Sequence, residues 1–561
     1  MNKVSKESKT AKAKKCFDAY NHWLKIENKT INYKLMNMKK EEVETAFGNS
    51  LSFGTAGLRG VMGLGTNYLN EINVCKLANA VLSYYQKNNL KSIVIGFDTR
   101  HNSKLYSRIF AKVLSFNGIK VNIFKNYVPT PVLNFAIKYT ESDMGVMITA
   151  SHNNKSYNGI KISGANAIQI SGEVEKSIGS FYAKIDEVDT YNTYLLNQKY
   201  KGENIFFVKN KVKKLFLGEL YKNKLNKNLN IIYTPLNGTA YKYVKKSLKC
   251  SGFKKIKTPF LQKFASGDFS TCPYPNPEFA ETFKLCLKCT EDFDADVIVA
   301  TDPDGDRLGA MIKSTKGYKL LTGNEVGFLL LNYIYETHSR EKNLYAVSTV
   351  VSSPMFFDMC EAYGIKCEKT LTGFKNIGKA KKLLEDRYGK DGFLLAYEES
   401  CGYIVKDSFY DKDGIFALLK FCELASYLKN KGSSVEEYLN EIYNKFNNVY
   451  SLNSSISFEG NNALDNMNTA IESLREKGIK SLLKKKITRT IDYLKDKTGL
   501  EKSNFIEFQT DNFSFIIRPS GTEPKLKFYI HAKGKNLTQS KKLAEEVLEA
   551  IKKEIFNINE W

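Results

Sequence analysis

Met144-Gly145-Val146-Met147-Ile148-Thr149-Ala150-Ser151-His152-Asn153 is a short apolar run that ends in a polar loop carrying a hydroxyl and an imidazole. A run of that length after Glu141-Ser142-Asp143 reads as a buried strand, so Ser151 sits just past its C-terminal end. In open α/β sheets, strand ends are where ligands bind and loops carry reactive groups. The residues from Asn153 to Gly159 read as a polar, turn-rich loop rather than a helix. A hydroxyl presented this way is a candidate nucleophile or phosphate carrier. The plainer alternative is a serine that closes a turn.

The chain around this stretch repeats its pattern. Helical periodicity over 11–27 and 40–47 leads to Phe53-Gly54-Thr55-Ala56-Gly57-Leu58-Arg59-Gly60, a glycine-rich stretch around one arginine. Glycines there let the backbone approach a ligand, and Arg59 offers a fork to a phosphate. No Gly-Lys-Ser/Thr follows, so this is not a P-loop. A helix over 71–87, a strand over 92–96 ending in Asp98-Thr99-Arg100, another helix and a strand over 120–124 complete the first α/β unit. After a Lys/Asn-rich passage near 196–212 the pattern restarts, with strands over 229–233 and 297–300. It restarts again with a helix over 324–335 and strands over 344–351 and 392–396. From about residue 450 it changes: strands over 504–509, 512–517 and 526–531 precede a charged helix over 540–556. That last part reads as an α+β unit.

At 561 residues the chain exceeds one core and implies roughly three to five domains. Hydrophobic residues make up 42%, enough for packed globular units. The net charge of +24 comes from lysines scattered through the sequence, with no long basic arm. A solvated basic surface accounts for it better than nucleic-acid binding. No secretory signal or membrane span is expected, and ten dispersed cysteines suggest reduced thiols in a cytoplasmic protein. The lone Cys286-Leu287-Lys288-Cys289 has no second pair at zinc spacing and reads as helix.

Two further motifs carry chemistry. Thr301-Asp302-Pro303-Asp304-Gly305-Asp306-Arg307 follows a buried strand and spaces three carboxylates at alternate positions. In an extended segment these share one side, so Asp302, Asp304 and Asp306 can converge on a hard cation such as Mg²⁺. An EF-hand is excluded, because its sixth position would be Arg307 and its twelfth Lys313. Arg307 stands ready to orient an aspartate or meet an anion. Near the C-terminus, Arg518-Pro519-Ser520-Gly521-Thr522 offers amides, hydroxyls and a guanidinium that together suit a phosphate. Glu398 and Ser400, at another strand end, suit paired sugar hydroxyls.

In order along the chain, Gly54 to Gly60, Thr149 to Asn153, Asp302 to Arg307, Thr372-Gly373-Phe374-Lys375, Glu398-Glu399-Ser400 and Arg518 to Glu523 resemble the α-D-phosphohexomutase superfamily. The resemblance to these phosphoglucomutases and phosphomannomutases covers almost the whole chain. Thr370-Leu371-Thr372-Gly373-Phe374-Lys375 and Glu398-Glu399-Ser400-Cys401-Gly402-Tyr403 look like the branch holding phosphoglucomutase-2 and phosphopentomutase-like enzymes. The resemblance implies an α/β fold of four domains around a central cleft, three mixed α/β sandwich domains and a smaller C-terminal α+β domain. We place their boundaries at 1–207, 208–319, 320–449 and 450–561.

It also implies roles. Ser151 would carry the phosphoryl group, with Mg²⁺ held by that phosphate and Asp302, Asp304 and Asp306. Lys375, His152 and Lys161 would be candidates for proton transfer. Arg59, Arg307, Thr372, Gly373, Glu398, Ser400, Arg518, Ser520, Gly521 and Thr522 would bind substrate. A sugar bisphosphate such as glucose 1,6-bisphosphate would act as activator, and the protein would be a monomer or homodimer. Asn154 stands where many relatives have proline, which implies a slightly different loop. An esterase is disfavoured, since no Gly-x-Ser-x-Gly surrounds Ser151. A sugar-bisphosphate synthase and a non-catalytic sugar-phosphate binder remain open alternatives. So does the choice among glucose, mannose and a pentose.

Overall fold

The apolar run Met144–Ile148 is a strand with all five residues buried. In the computed structural model, residues 2–54, 57–200, 202–220, 228–337, 343–459, 463–520 and 524–556 are described, 2–12 in backbone only. They form two units: Met1–Ala310 with Phe409–Leu419, and Met311–Ser408 with Lys420–Trp561.

The first unit opens with a six-stranded sheet of β1 (Gly57–Val61), β2 (Ser92–Phe97), β3 (Lys120–Ile123), β4 (Met144–Ile148), β5 (Tyr157–Gly164) and β6 (Ile205–Phe207), in the order β1-β5-β4-β2-β3-β6. Strands β4, β2, β3 and β6 run parallel, and β5 returns antiparallel to β4. Parallel strands covered on both faces need continuous apolar runs, as β2 and β4 supply. Trp23, wholly buried, ties the N-terminal helix to this core and donates its indole N–H to Glu187 at 3.2 Å. A second set of strands follows: β7 (Asn230–Thr234) lies parallel to β8 (Lys255–Lys257) and to β9 (Val297–Thr301). The chain passes into the second unit at Ala310–Met311. It does so within β10 (Leu308–Ser314), which pairs with β11 (Gly317–Leu320) as a hairpin.

In the second unit, β12 (Tyr345–Thr349), β13 (Lys366–Thr370), β14 (Phe393–Glu398) and β15 (Gly402–Ile404) form a sheet in the order β13-β12-β14-β15. The C-terminal part contains β16 (Val449–Ser457), a small hairpin of β17 (Ser481–Leu482) and β18 (Lys485–Lys486), β19 (Arg489–Asp492), β20 (Ile506–Gln509), β21 (Phe513–Pro519) and β22 (Lys525–Lys533). Its main sheet runs β16-β22-β21-β20-β19, all antiparallel. Val350 and Val351 pack with Tyr493, Phe505, Ile516 and Tyr529, joining the two parts of this unit through one apolar cluster.

Residues Phe409–Leu419 return to the first unit. Phe409 and Phe416 set their rings edge-on to Phe216, at 6.1 and 6.0 Å between centroids. Gly414 brings this segment against the loop after β9; a Cβ there would lie 2.3 Å from the Arg307 carbonyl oxygen, so only glycine permits the approach.

Five readings need correction. Asn153–Gly159 is not loop throughout, since β5 begins at Tyr157 and Gly159 lies between β1 and β4. A Cβ on Gly159 would meet Thr149 O at 2.7 Å and Leu58 O at 2.8 Å, so its composition reflects close strand contact rather than a turn. Asp302 to Asp306 is a turn, not an extended segment. Gly305 takes φ +73° and donates its N–H to Asp302 O at 2.9 Å. A helix at Lys29–Met36, capped by Asn28, was not expected. The Lys/Asn-rich passage near 196–212 holds β6 and the start of the helix Asn210–Leu220. The C-terminal helix is Leu537–Ala550, followed by a π-turn over Ile551–Ile555. No helix among the described residues is long and apolar enough to cross a membrane.

Candidate active site

Ser151 ends the turn after β4 in the left-handed conformation, φ +54°, and is 2% exposed. Its N–H donates to Thr149 Oγ1 at 2.8 Å, and its hydroxyl donates to Asp302 Oδ2 at 2.8 Å. His152 brings Nδ1 to 3.3 Å from the same hydroxyl. A serine that merely closed a turn would have no need of a buried carboxylate on its Oγ.

Asp302, Asp304 and Asp306 are all fully buried, and one carboxylate oxygen from each lies within 4.8 Å of the others. Asp302 Oδ1 accepts the N–H groups of Asp306 and Arg307, both at 3.0 Å, which closes the loop upon itself. Asp304 Oδ2 accepts from Thr130 Oγ1 at 2.9 Å and from Lys161 Nζ at 2.8 Å. Asp306 Oδ2 faces two ammonium groups, Lys161 at 2.9 Å and Lys412 at 3.0 Å. Burial pushes the Asp302 carboxyl well above its ordinary range, and its two acidic neighbours push the same way. Burial works against ionisation of Asp304 too, but Lys161, with Asp302 and Lys412 beside it, outweighs burial and holds that carboxyl low. Lys161 is the converse: burial opposes its charge, yet Asp304 and Asp306 keep it an ammonium above its ordinary range. In this arrangement Lys161 stays charged and cannot accept a proton.

Oδ1 of Asp304 and Oδ1 of Asp306 are buried without a hydrogen-bond partner. Two orphaned carboxylate oxygens beside a third acid are a donor set that fits a hard divalent cation. Among the described residues this is the one cluster of acidic, histidine or cysteine side chains close enough to hold a metal.

Arg59, half-buried on β1, donates to Asn153 Oδ1 at 3.2 Å, and so reaches the Ser151 loop. Burial lowers its basicity while Asp304 and Asp306 oppose that change. Arg307 reaches Glu278 Oε1 at 2.5 Å. The first unit thus gathers Ser151, His152, Arg59, Lys161, the three aspartates and Arg307.

In the second unit, Gly373 (φ +102°) precedes the helix Phe374–Tyr388 and donates its N–H to Glu398 Oε1 at 2.8 Å. Lys375 lies in the first turn of that helix, half-buried like Thr372 and Ser400. Arg518 on β21 lies near the Tyr529 hydroxyl and opposes the rise that burial gives it, and Ser520 N donates to Lys525 O at 2.8 Å. Gly521 and Thr522 lie outside the described residues.

Four residues of the first unit were not singled out from sequence. Arg100 binds the Ser151 loop, Thr130 holds Asp304, and Lys412 meets Asp306. Asp413 caps the helix Gly414–Asn430, accepting from Ile415 N at 2.8 Å and Phe416 N at 3.0 Å. Burial raises the Asp413 carboxyl to about 7, against those two N–H groups and with Asp306 adding to the rise. Asp98-Thr99-Arg100 carried a usable signal, a polar turn at a strand end beside β4. Lys412 carried none, being distant in sequence from Asp306, and Asp413 carried only that of an acidic residue at a helix start.

Models of the phosphoglucomutase/phosphomannomutase family match the chain in four places: α/β/α domain I at 50–189, domain II at 209–316, domain III at 322–446 and the C-terminal domain at 479–550. A phosphoglucomutase of Staphylococcus haemolyticus is 33% identical over 512 residues, covering 88% of this chain and 93% of its own. A probable phosphomannomutase of Haemophilus influenzae is 32% identical over 496 residues, covering 86% and 97%. Among solved structures, a putative phosphomannomutase from Thermus thermophilus superposes with a TM-score of 0.68 at 19% identity, covering 91% of this chain and 99% of its own, a likeness of fold.

Proposed function

This chain belongs to the α-D-phosphohexomutase superfamily and is a phosphotransferase mutase, and on that premise we propose that it interconverts glucose 1-phosphate and glucose 6-phosphate through a phosphoserine at Ser151. The observation that carries this reading is the Ser151 hydroxyl held 2.8 Å from Asp302 inside a buried acidic cluster. Asp302, Asp304 and Asp306 would hold Mg²⁺, which when bound supplies positive charge to the oxygens of a transferring phosphoryl group.

The chain's own residues do the rest. With Ser151 phosphorylated, the Oγ–P bond breaks as a sugar hydroxyl oxygen bonds to phosphorus, giving a sugar bisphosphate. The hydroxyl proton passes to a base, for which His152 and Lys375 are the candidates. Ser151 Oγ then takes the other phosphoryl group from the reoriented bisphosphate, and the departing sugar oxygen takes the proton back from the base. Lys161, the third candidate for proton transfer, stays an ammonium between Asp304 and Asp306. Arg59 and Arg307 supply guanidinium forks to phosphate oxygens. Thr372, Gly373, Glu398 and Ser400 bind the sugar, and Arg518, Ser520, Gly521 and Thr522 bind the phosphate that is not reacting. Glucose 1,6-bisphosphate primes the serine. The free thiols of all ten cysteines agree with a reducing cytoplasm as the place of work.

The test compares kcat/KM for glucose 1-phosphate, mannose 1-phosphate and ribose 1-phosphate, with Mg²⁺ and the matching bisphosphate, beside Ser151→Ala. Glucose 1-phosphate should lead, and the variant should carry no phosphoryl group and show no turnover. Preference for another sugar would change the substrate. Full turnover by Ser151→Ala would overturn the phosphoserine.

A further inference from the structure

Arg100 lies at the end of β2, is 3% exposed, and spends its guanidinium on backbone rather than on any acidic ligand of the cluster. Nη2 donates to Ser151 O at 2.6 Å and to Asn153 O at 2.5 Å. Nη1 donates to Asn154 O at 2.6 Å and to Tyr157 O at 3.0 Å. Four carbonyl groups along one seven-residue arc therefore converge on a single side chain. Only a planar group with several donors in fixed directions can meet them; an ammonium is a point charge on a flexible stem.

The arginine is itself locked. Its Nε stands 3.2 Å from Asp98 Oδ2, and Phe269 packs a ring 5.0 Å from its carbon. Asp98 is fixed in turn, since Asp98 Oδ1 accepts from Arg100 N at 2.9 Å and from Ser103 Oγ at 2.8 Å. Asp98 N donates to Ile148 O at 3.0 Å, which fastens this turn to the last residue of β4. From the far end of the arc, Asn158 Nδ2 donates to His101 O and Ser103 Oγ, both at 2.9 Å. The strand-end turn of β2 thus grips the strand-end turn of β4 on both sides of the serine.

We propose that Arg100, locked by Asp98, is a positioning residue that holds the Ser151 loop in its left-handed shape and so presets the line of attack of the serine oxygen. This rests on Ser151 being the phosphoryl carrier. A left-handed backbone at a non-glycine residue needs surroundings that enforce it, and four carbonyl contacts from one fork are such an enforcement. Phosphoryl transfer draws most of its acceleration from positioning, and a displacement of about 1 Å costs on the order of 100-fold. Arg100 touches neither phosphate nor sugar in this argument; it acts through the loop.

The experiment compares wild type, Arg100→Lys and Asp98→Asn for kcat, KM, thermal midpoint and the rate of Ser151 phosphorylation by glucose 1,6-bisphosphate, followed by intact-protein mass. Arg100→Lys keeps a cation beside Asp98 and loses the fork. It should lower kcat and the phosphorylation rate together by about 10- to 100-fold while KM stays within about twofold. Asp98→Asn, which leaves the fork but loosens its anchor, should show a smaller loss of the same kind, and it decides the matter if Arg100→Lys does not fold. The inference is overturned if kcat in the folded variants stays within twofold of wild type, if the loss falls on KM, or if it only follows the thermal midpoint. Absence of phosphoryl incorporation in the wild type would instead remove the phosphoserine reading beneath it.

Discussion

The two units handle their polar loops in opposite ways. In the first, Ser151, Asp302, Asp304 and Asp306 are buried, and their side-chain oxygens meet residues of the same unit except Oδ1 of Asp304 and Oδ1 of Asp306. In the second, Thr372, Lys375, Glu398 and Ser400 are only half-buried, and the best-defined contact is one N–H on Glu398. The first arrangement is built on buried charge, whereas the second presents its groups nearer the surface. The contrast suits a mutase. Its phosphoryl carrier needs one geometry in every half-reaction, while its sugar contacts must serve a substrate in two orientations.

The comparison can be tested at its strongest point first. Asp304→Asn removes a charge that Lys161 and Thr130 both engage, and it should lower kcat by about 10²- to 10³-fold with little change in KM. Steady-state kinetics against Mg²⁺ concentration check this; a loss confined to KM would erase the distinction between the units. Glu398→Gln should act the other way, chiefly through KM. A hydrogen bond to a charged group is worth about 1.5–3 kcal/mol, so kcat/KM should fall by about 10- to 100-fold. A kcat effect as large as that of Asp304→Asn would place Glu398 in the chemistry.

The smallest expected effect concerns stability. Asp413 has its folded-state value raised to about 7, above the ordinary aspartate value. Below about pH 4 the carboxyl is protonated in folded and unfolded chains alike, and the site costs nothing. As pH rises toward 7 the unfolded chain releases the proton first, so stability declines across that window and is level above it. Asp413→Asn keeps an oxygen for the N–H groups of Ile415 and Phe416. In metal-free protein it should raise stability at pH 8 by about 1–2 kcal/mol, less than the full linkage because its amide N–H₂ lacks a partner. The gain should vanish near pH 4, as thermal melts at the two pH values would show. A gain that persisted at pH 4 would mean that burial of the charge was not its source.

Most of the fold was legible because its strands are short apolar runs bounded by turns, as in 144–148 and 297–301. The acidic triad was legible for another reason: three carboxylates so close in sequence have few places to go except around a cation. The route to that convergence was misread, because a turn at Gly305 brings the aspartates together where an extended chain was expected. Strand β5 was missed, since Asn158 and Gly159 look like turn residues until two neighbouring strands are seen to press on Gly159. Lys412 had no local signal at all, its meaning arising only from the approach that Gly414 permits.

The return of Phe409–Leu419 to the first unit has a consequence for how the protein is made. The three aspartates emerge from the ribosome about a hundred residues before Lys412 does. At roughly 5–20 residues per second, several seconds pass in which the acidic cluster exists without one of its two ammonium partners. Throughout that interval the nascent first unit holds Asp306 with Lys161 but without Lys412. It also lacks the ring contacts that Phe409 and Phe416 make with Phe216. The first half of the chain therefore cannot reach its final state during its own synthesis, and its completion is timed by the translation of the second.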